Sequence, residues 1–278
     1  SVARRVRRYD PARWTRDPRF AAFEDAVRRL AAADPAGLSW TGLLRQVRDC
    51  FAAMQLIAEL RVSYLPGSLV PQLKLRALLL LLGLPRLGSA LIAGAETRTT
   101  QANRALAELA AMAGRDAALR RAVEILDPPE LLLRIEATPG FAGFNARFRE
   151  FLAEYGHRET VSVVLSSAPT WSAAPEVVLG LVKALLNDPV PAADQTGTAL
   201  RRLAAHPALR LDPLRRQVFA AVDGARTGMG FREDSHFHAT RVLPPLRRAY
   251  LELGARLQAA GILAAAAEVF HLRLGELA

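Results

Sequence analysis

The chain is 278 residues long, 51% hydrophobic and 6% aromatic, which supplies apolar material for one or two folded domains and excludes disorder over most of its length. Its formal charge is +10, but of 37 basic side chains only Lys74 and Lys183 are lysine, so the excess looks as much like an arginine-rich compositional habit as a surface selected for phosphate. A single cysteine, Cys50, excludes a disulfide scaffold and a thiolate zinc cage, and it fits a reducing, cytoplasmic setting.

Ala and Leu outnumber the β-branched and aromatic residues that sheets favour, so the expected fold class is all-α, a multi-helix orthogonal or bundle-like arrangement with at most one short strand. Residues 1–19 form a basic leader or linker, with seven arginines against Asp10 and Asp17. Tyr9 and Trp14 are its aromatic side chains for stacking on bases, and any nucleic-acid affinity there would be nonspecific and salt-sensitive, which makes nucleic acid an unlikely partner. The leader lacks the apolar core of a signal peptide, and the six-residue run Ala77 to Leu82 is too short to cross a membrane. The opening Ser, in place of Met, suggests a processed product or an excised piece of a longer chain.

An N-terminal helical half is expected over 20–138. A helix runs from Pro18 to Ala33 and stops before Asp34-Pro35. Ser39 caps a longer one, whose apolar stripe Leu43, Val47, Cys50/Phe51, Met54, Ile57, Leu60 and Tyr64 keeps the three-four spacing until Pro66-Gly67 ends it. Cys50 lies on that stripe as a buried, inert thiol. Leu69 to Leu82, apolar nearly all round, predicts a central helix covered on several sides. Thr99 or Thr100 caps the next helix, which Gly114 closes, and Asp116 to Leu126 follows until Asp127-Pro128-Pro129.

A C-terminal half, 139–278, carries the candidate site, and the two halves make one composite domain. Phe144, Phe148, Phe151, Leu152 and Tyr155 share a helix face that Gly156 closes in a left-handed conformation. Val161 to Leu165 is a short strand or a buried loop. Helices follow over Pro175–Leu186, Asp194–Ala205 and Asp212–Val222, then around Arg232–Val242 and over Pro244–Ala260, with Gly261 as a stop and 187–194 as a flexible connector. No internal repeat supports a solenoid.

Walker, dinucleotide-binding, nucleophile-elbow and His-Glu-x-x-His motifs are absent from the sequence. The densest chemistry is Phe231-Arg232-Glu233-Asp234-Ser235-His236-Phe237-His238. On a helix Arg232 shares a face with His236, and Asp234 with His238. That segment reads as an ion-paired surface helix or as an anion site on Arg232 and His236, while the split over two faces disfavours a metal. The flanking Phe231 and Phe237 suggest that part of the charge is held near the core. A second cluster, Tyr155-Gly-His157-Arg158-Glu159, reads as a buried ion pair; His206 and His271 are isolated and structural.

The succession of Tyr-Gly-His-Arg, an apolar segment, Pro169-Thr-Trp171, Pro175 with its helix, Arg232-Glu233 with Phe237, Arg241, and Val269-Phe-His-Leu-Arg-Leu-Gly-Glu-Leu277 resembles the central helical region of phosphoenolpyruvate-synthase-like phosphotransferases, in particular the rifampicin phosphotransferase family. The resemblance covers roughly residues 40–278. Before 139 it rests on Leu65-Pro66 and Thr99-Thr-Gln-Ala-Asn103.

That resemblance implies the acceptor-binding helical part of an ATP-dependent enzyme, a PEP-utilizing kinase whose swivelling phosphohistidine domain phosphorylates a small hydroxyl-bearing molecule. ATP and Mg are expected only in an ATP-grasp domain outside this chain, in cis or in trans, so the isolated chain should neither bind ATP tightly nor hydrolyse it. The catalytic residues it implies are Arg232, which matches the family's arginine, and His236, which stands where a lysine is found; a neutral imidazole there could act as base on the acceptor hydroxyl. His157, Arg158, Glu233, His238, Trp171 and Arg241 are implied as substrate-binding, with no cofactor or metal held by this chain. The alternative is a noncatalytic helical module whose leader grips an acidic partner or nucleic acid, and deletion of 1–19 separates the two readings.

Overall fold

The protein, seen in a computed structural model that describes residues 8–161, 166–188 and 195–277, is all-α, as its composition predicts. The helices are α1 (Pro18–Ala32), α2 (Trp40–Leu81), α3 (Gly88–Ala93), α4 (Arg98–Arg115), α5 (Ala117–Ile125), α6 (Pro128–Ala137), α7 (Ala142–Tyr155), α8 (Pro175–Asn187), α9 (Gln195–Ala204), α10 (Asp212–Ala239) and α11 (Leu243–Ala259), joined by short 3-10 turns. They fall into two compact units, each assembled from separated stretches of chain: the first from 1–22, 56–100 and 191–238, the second from 23–55, 101–190 and 239–278.

The second unit is organised by an aromatic and aliphatic core on α4 to α8. Phe144, Phe148 and Phe151, three and four positions apart on α7, are each 4% exposed or less and pack with Leu131, Ile135, Trp171, Val178 and Val182. The spacing puts all three rings on one helix face, and each buried ring contributes roughly 2 kcal/mol in area removed from water. Asp127 does more than stop the preceding helix: its carboxylate accepts the Glu130 N–H at 3.0 Å and starts α6, with Pro128 in the first turn where its missing N–H costs nothing. Gly156 is right-handed (φ −66°), not left-handed. Its use is close approach, since a Cβ there would lie 2.9 Å from the Ser172 Cβ, and its carbonyl accepts the Ser172 N–H at 2.7 Å. Residues 162–165 of the expected strand lie outside the described residues; around them a lone antiparallel bridge joins Glu159 to Thr170.

In the first unit Pro66-Gly67 does not end the long helix. Proline removes the N–H that would bond four residues back, yet α2 runs on to Leu81 with Pro66 and Pro71 inside it. The buried stripe continues through Tyr64, Ser68, Leu75 and Leu79, so packing outweighs the lost bonds. Gly67 is kept for contact: a Cβ would lie 2.6 Å from the Tyr9 carbonyl oxygen.

The same logic joins the two helices expected at 212–222 and 232–242 into α10. A Cβ on Gly228 would sit 2.5 Å from the Ser68 carbonyl oxygen, and one on Gly224 would sit 2.9 Å from Pro71, so these glycines let α10 lie backbone-close to α2 without breaking it. Leu75, Leu79, Leu87, Leu91, Leu203, Val218 and Val222 form the core of this unit.

The segment from Leu69 to Leu82 is not covered all round: Leu73, Leu80 and Leu81 are 64%, 58% and 84% exposed, because only the Leu75–Leu79 face meets the core. Helix α4 is capped by Thr97, not by Thr99 or Thr100, through reciprocal bonds in which each of Thr97 and Thr100 accepts the other's N–H (2.8 and 3.1 Å), and it continues past Gly114 to Arg115. Nor are the leader's aromatic rings open for stacking on bases. A 3-10 turn over Pro11–Arg16, capped by Asp10, buries Trp14 to 6% exposure against Phe20, Phe231 and His238, while Tyr9 packs edge-on to Tyr64. The connector residues 189–194 lie outside the described residues.

Candidate functional site

Helix α10 carries the cluster that the sequence singles out, and its 100° rotation per residue deals the side chains to different surroundings. Phe231 and Phe237 are buried at 4% and 5% exposure. Arg232, in contrast, points outward with its side chain 60% exposed, so its charge is not held in the core; its Nη2 donates to Glu233 Oε1 at 3.0 Å. Glu233 also accepts the Thr99 hydroxyl through Oε2 at 3.3 Å. Asp234 faces the start of α4 and accepts the Arg98 N–H at 2.7 Å. Burial raises its carboxyl above the usual range, against the lowering effect of that hydrogen bond.

His236 meets Arg61, a residue that no motif singles out. Arg61 Nη1 lies 3.4 Å from His236 Nδ1. A guanidinium has no lone pair to offer, so in this contact the imidazole accepts at Nδ1 and its ring proton sits on Nε2. Burial pushes the Arg61 guanidinium below its ordinary value, with Glu233 opposing that shift and Arg232 adding to it. Arg61, Arg232, Glu233 and His236 therefore share one electrostatic neighbourhood on α2 and α10.

Beside it runs a groove lined by Ser89, Ile92, Ala93, Ala95, Thr97, Thr99, Thr100, Met229 and Glu233. Its floor is apolar, and its polar edge is three threonines, one serine and one carboxylate.

The remaining candidates take other places. His238 packs edge-on against Trp14, Phe20 and Phe237, with ring centroids 5.0 to 5.7 Å away. His157, Arg158, Trp171 and Arg241 belong to the second unit. There Arg158 lies over the Trp171 ring at 5.1 Å, its carbonyl accepts the Trp171 N–H, and Trp171 is 8% exposed beside Phe151. Arg241 makes a two-oxygen ion pair with Glu24 at 2.6 and 2.7 Å. His206 caps its own turn, accepting the Ala208 N–H at Nδ1. Cys50 is fully buried and its thiol is pushed up to about 12 by burial, which makes it unreactive. Among the described residues no three His, Cys, Asp or Glu side chains are grouped as a metal would require.

Residues 62–233 match the family described as rifampicin phosphotransferase fourth domain. The chain belongs to that family, and is a rifampicin phosphotransferase-like helical domain. Among curated proteins, chondramide synthase of Chondromyces crocatus is similar, 27% identical over 199 residues. That alignment takes in 67% of this chain, and the chain spans about 5% of the length of that relative. Among the described residues no helix is long and apolar enough to cross a membrane.

Proposed function

We propose that this chain is the acceptor-binding part of a cytoplasmic phosphotransferase, where a phosphohistidine carried by another domain meets a small hydroxyl-bearing molecule. The observation that supports it is the Arg61–His236 contact beside Arg232: two guanidinium groups and an imidazole N–H on one surface suit a phosphoryl group, whose negative charge grows as it transfers. In this reading the acceptor's apolar body lies along Ile92, Ala95 and Met229, and its hydroxyl reaches the edge formed by Thr99 and Glu233. The hydroxyl oxygen forms the new bond to phosphorus, the phosphohistidine P–N bond breaks with its electron pair returning to that imidazole, and the hydroxyl proton passes to the Glu233 carboxylate. His236, with Nδ1 turned to Arg61, serves as a donor from Nε2 to a phosphoryl oxygen. ATP and Mg belong to a nucleotide-binding partner domain, and His157, Arg158, His238, Trp171 and Arg241 remain candidates on the family resemblance alone.

The assembled enzyme with Arg232→Ala tests this. Because Arg232 is exposed, the variant should fold normally while kcat falls ~100-fold or more, the range of a lost oxyanion-type donor. Normal turnover would remove Arg232 from the transfer site. The competing reading, a module gripping an acidic partner through its leader, is weakened for residues 8–19 by the burial of Trp14, and deletion of 1–19 would disturb folding as well as binding.

A further inference from the structure

The long helix presents an apolar face that the reaction does not use. On α2, Val62, Leu65, Leu69, Leu73 and Leu80 recur at three- to seven-residue steps, and they are 70%, 47%, 44%, 64% and 58% exposed. At 100° per residue these five fall within about 80° of arc on one side of the helix, with the buried Leu75 about 130° and Leu79 about 90° round from its centre. From Val62 to Leu80 the stripe runs about 27 Å, five turns, the length of one partner helix. At its C-terminal end it deepens into a groove lined by Leu73, Arg76, Leu80, Pro85, Arg86 and Ile92. Exposed apolar surface of that extent marks an interaction site more often than chance decoration.

The charge around it selects the occupant. Between Val62 and Ala95 there is no carboxylate, and the charged side chains are Lys74, Arg76 and Arg86. A second copy of the same face would set these cations against each other, and a bilayer would fit a flat surface better than the groove between α2 and α3. We infer that this face docks one amphipathic helix of a partner protein, apolar at i, i+3, i+4 and i+7 and flanked by Asp and Glu.

The test uses the full chain and two fluorescent synthetic helices with the same leucine stripe, one flanked by Glu and one by Lys, read by anisotropy at low and physiological salt. The Glu-flanked helix should bind, and the Lys-flanked one should bind about tenfold more weakly or worse. Leu73→Glu with Leu80→Glu should abolish binding without lowering the Tm, since both side chains are exposed. Arg76→Glu with Arg86→Glu should reverse the preference between the two helices. Equal binding of both peptides, or none, would overturn the proposal. So would a dimer in sedimentation that Leu73→Glu dissociates, or binding to anionic phospholipid vesicles in place of the peptide. The transfer reaction is not read out, so either result leaves the phosphotransferase reading to its own experiment.

Discussion

Arg61 and His236, 175 positions apart, meet side chain to side chain at 3.4 Å, Nη1 to Nδ1. The contact turns Nδ1 of His236 toward a cation, and it ties the charged segment of α10 to the middle of α2. Arg61→Ala is expected to lower kcat of the assembled enzyme by ~10- to 100-fold, short of the effect of Arg232→Ala, because it removes one cation and the contact at Nδ1 of His236. Turnover at saturating acceptor, with the Tm of the isolated chain as control, checks it; a Tm loss with unchanged kcat would make the contact structural.

Asp17 accepts three bonds from Arg19, one from its backbone N–H and two from its guanidinium, and one from the Tyr64 hydroxyl, and Arg19 reaches on to Ser63. The Arg19 hydrogen bonds hold the Asp17 carboxyl below its ordinary value, outweighing burial. A depressed folded pKa means stability that is present above the unfolded value, near 3.8, and lost as pH falls through the folded one. Asp17→Asn should therefore cost roughly 1–3 kcal/mol at pH 7 and flatten the acid side of the stability curve, measured by urea unfolding between pH 3 and pH 7.

Asp234 behaves oppositely. Burial raises its pKa, so the folded state holds the proton more tightly and stability falls as pH rises from 3.8 through the raised folded value. Asp234→Asn keeps an oxygen for the Arg98 N–H and removes the buried charge. Its stability should match the wild type at pH 3 and equal or exceed it at pH 7, whereas Asp234→Ala, which orphans the Arg98 N–H, should lose about 1–2 kcal/mol at both. Thermal melts of the three proteins at the two pH values decide it.

Gly228→Ala sets two effects against each other. Alanine favours an exposed helix interior by about 1 kcal/mol, but here the added Cβ would fall 2.5 Å from a backbone oxygen of Ser68 that belongs to another helix. Overpacking should win, with a net loss of ~1–3 kcal/mol. A raised Tm would mean that α2 and α10 separate readily.

Cys50 should resist alkylation in the native state and react at the rate of unfolding, since both its burial and its raised thiol pKa suppress the thiolate. Labelling by a thiol reagent across a urea gradient should follow the unfolding curve.

By itself the sequence determined the helical class, the buried face of several helices (Phe51, read onto the α2 stripe, is instead exposed) and several caps. The stripe from Leu43 to Tyr64, the α7 phenylalanines, Asp116 at the start of α5 and Gly261 (φ +72°) at the end of α11 are all local signals, set by periodicity and by backbone bonds within a turn. It also made Arg232 a candidate, through the spacing on one helix. What it left open were decisions made by distant neighbours. Pro66-Gly67 read as a helix stop, and the stretch between Val222 and Arg232, which holds Gly224, Gly228 and Gly230, as a gap between two helices, because proline and glycine weaken an isolated helix. Only the close passage of α2 against α10, backbone to side chain, explains why both helices run through them. The same packing brought in Arg61, which has no motif of its own, turned Asp234 into a cap for α4, and left Arg232 in solvent while its neighbours Phe231 and Phe237 went inside. Local chemistry depends on residues a turn apart and is legible along the chain, whereas contacts across 130 to 175 positions depend on how whole helices stack.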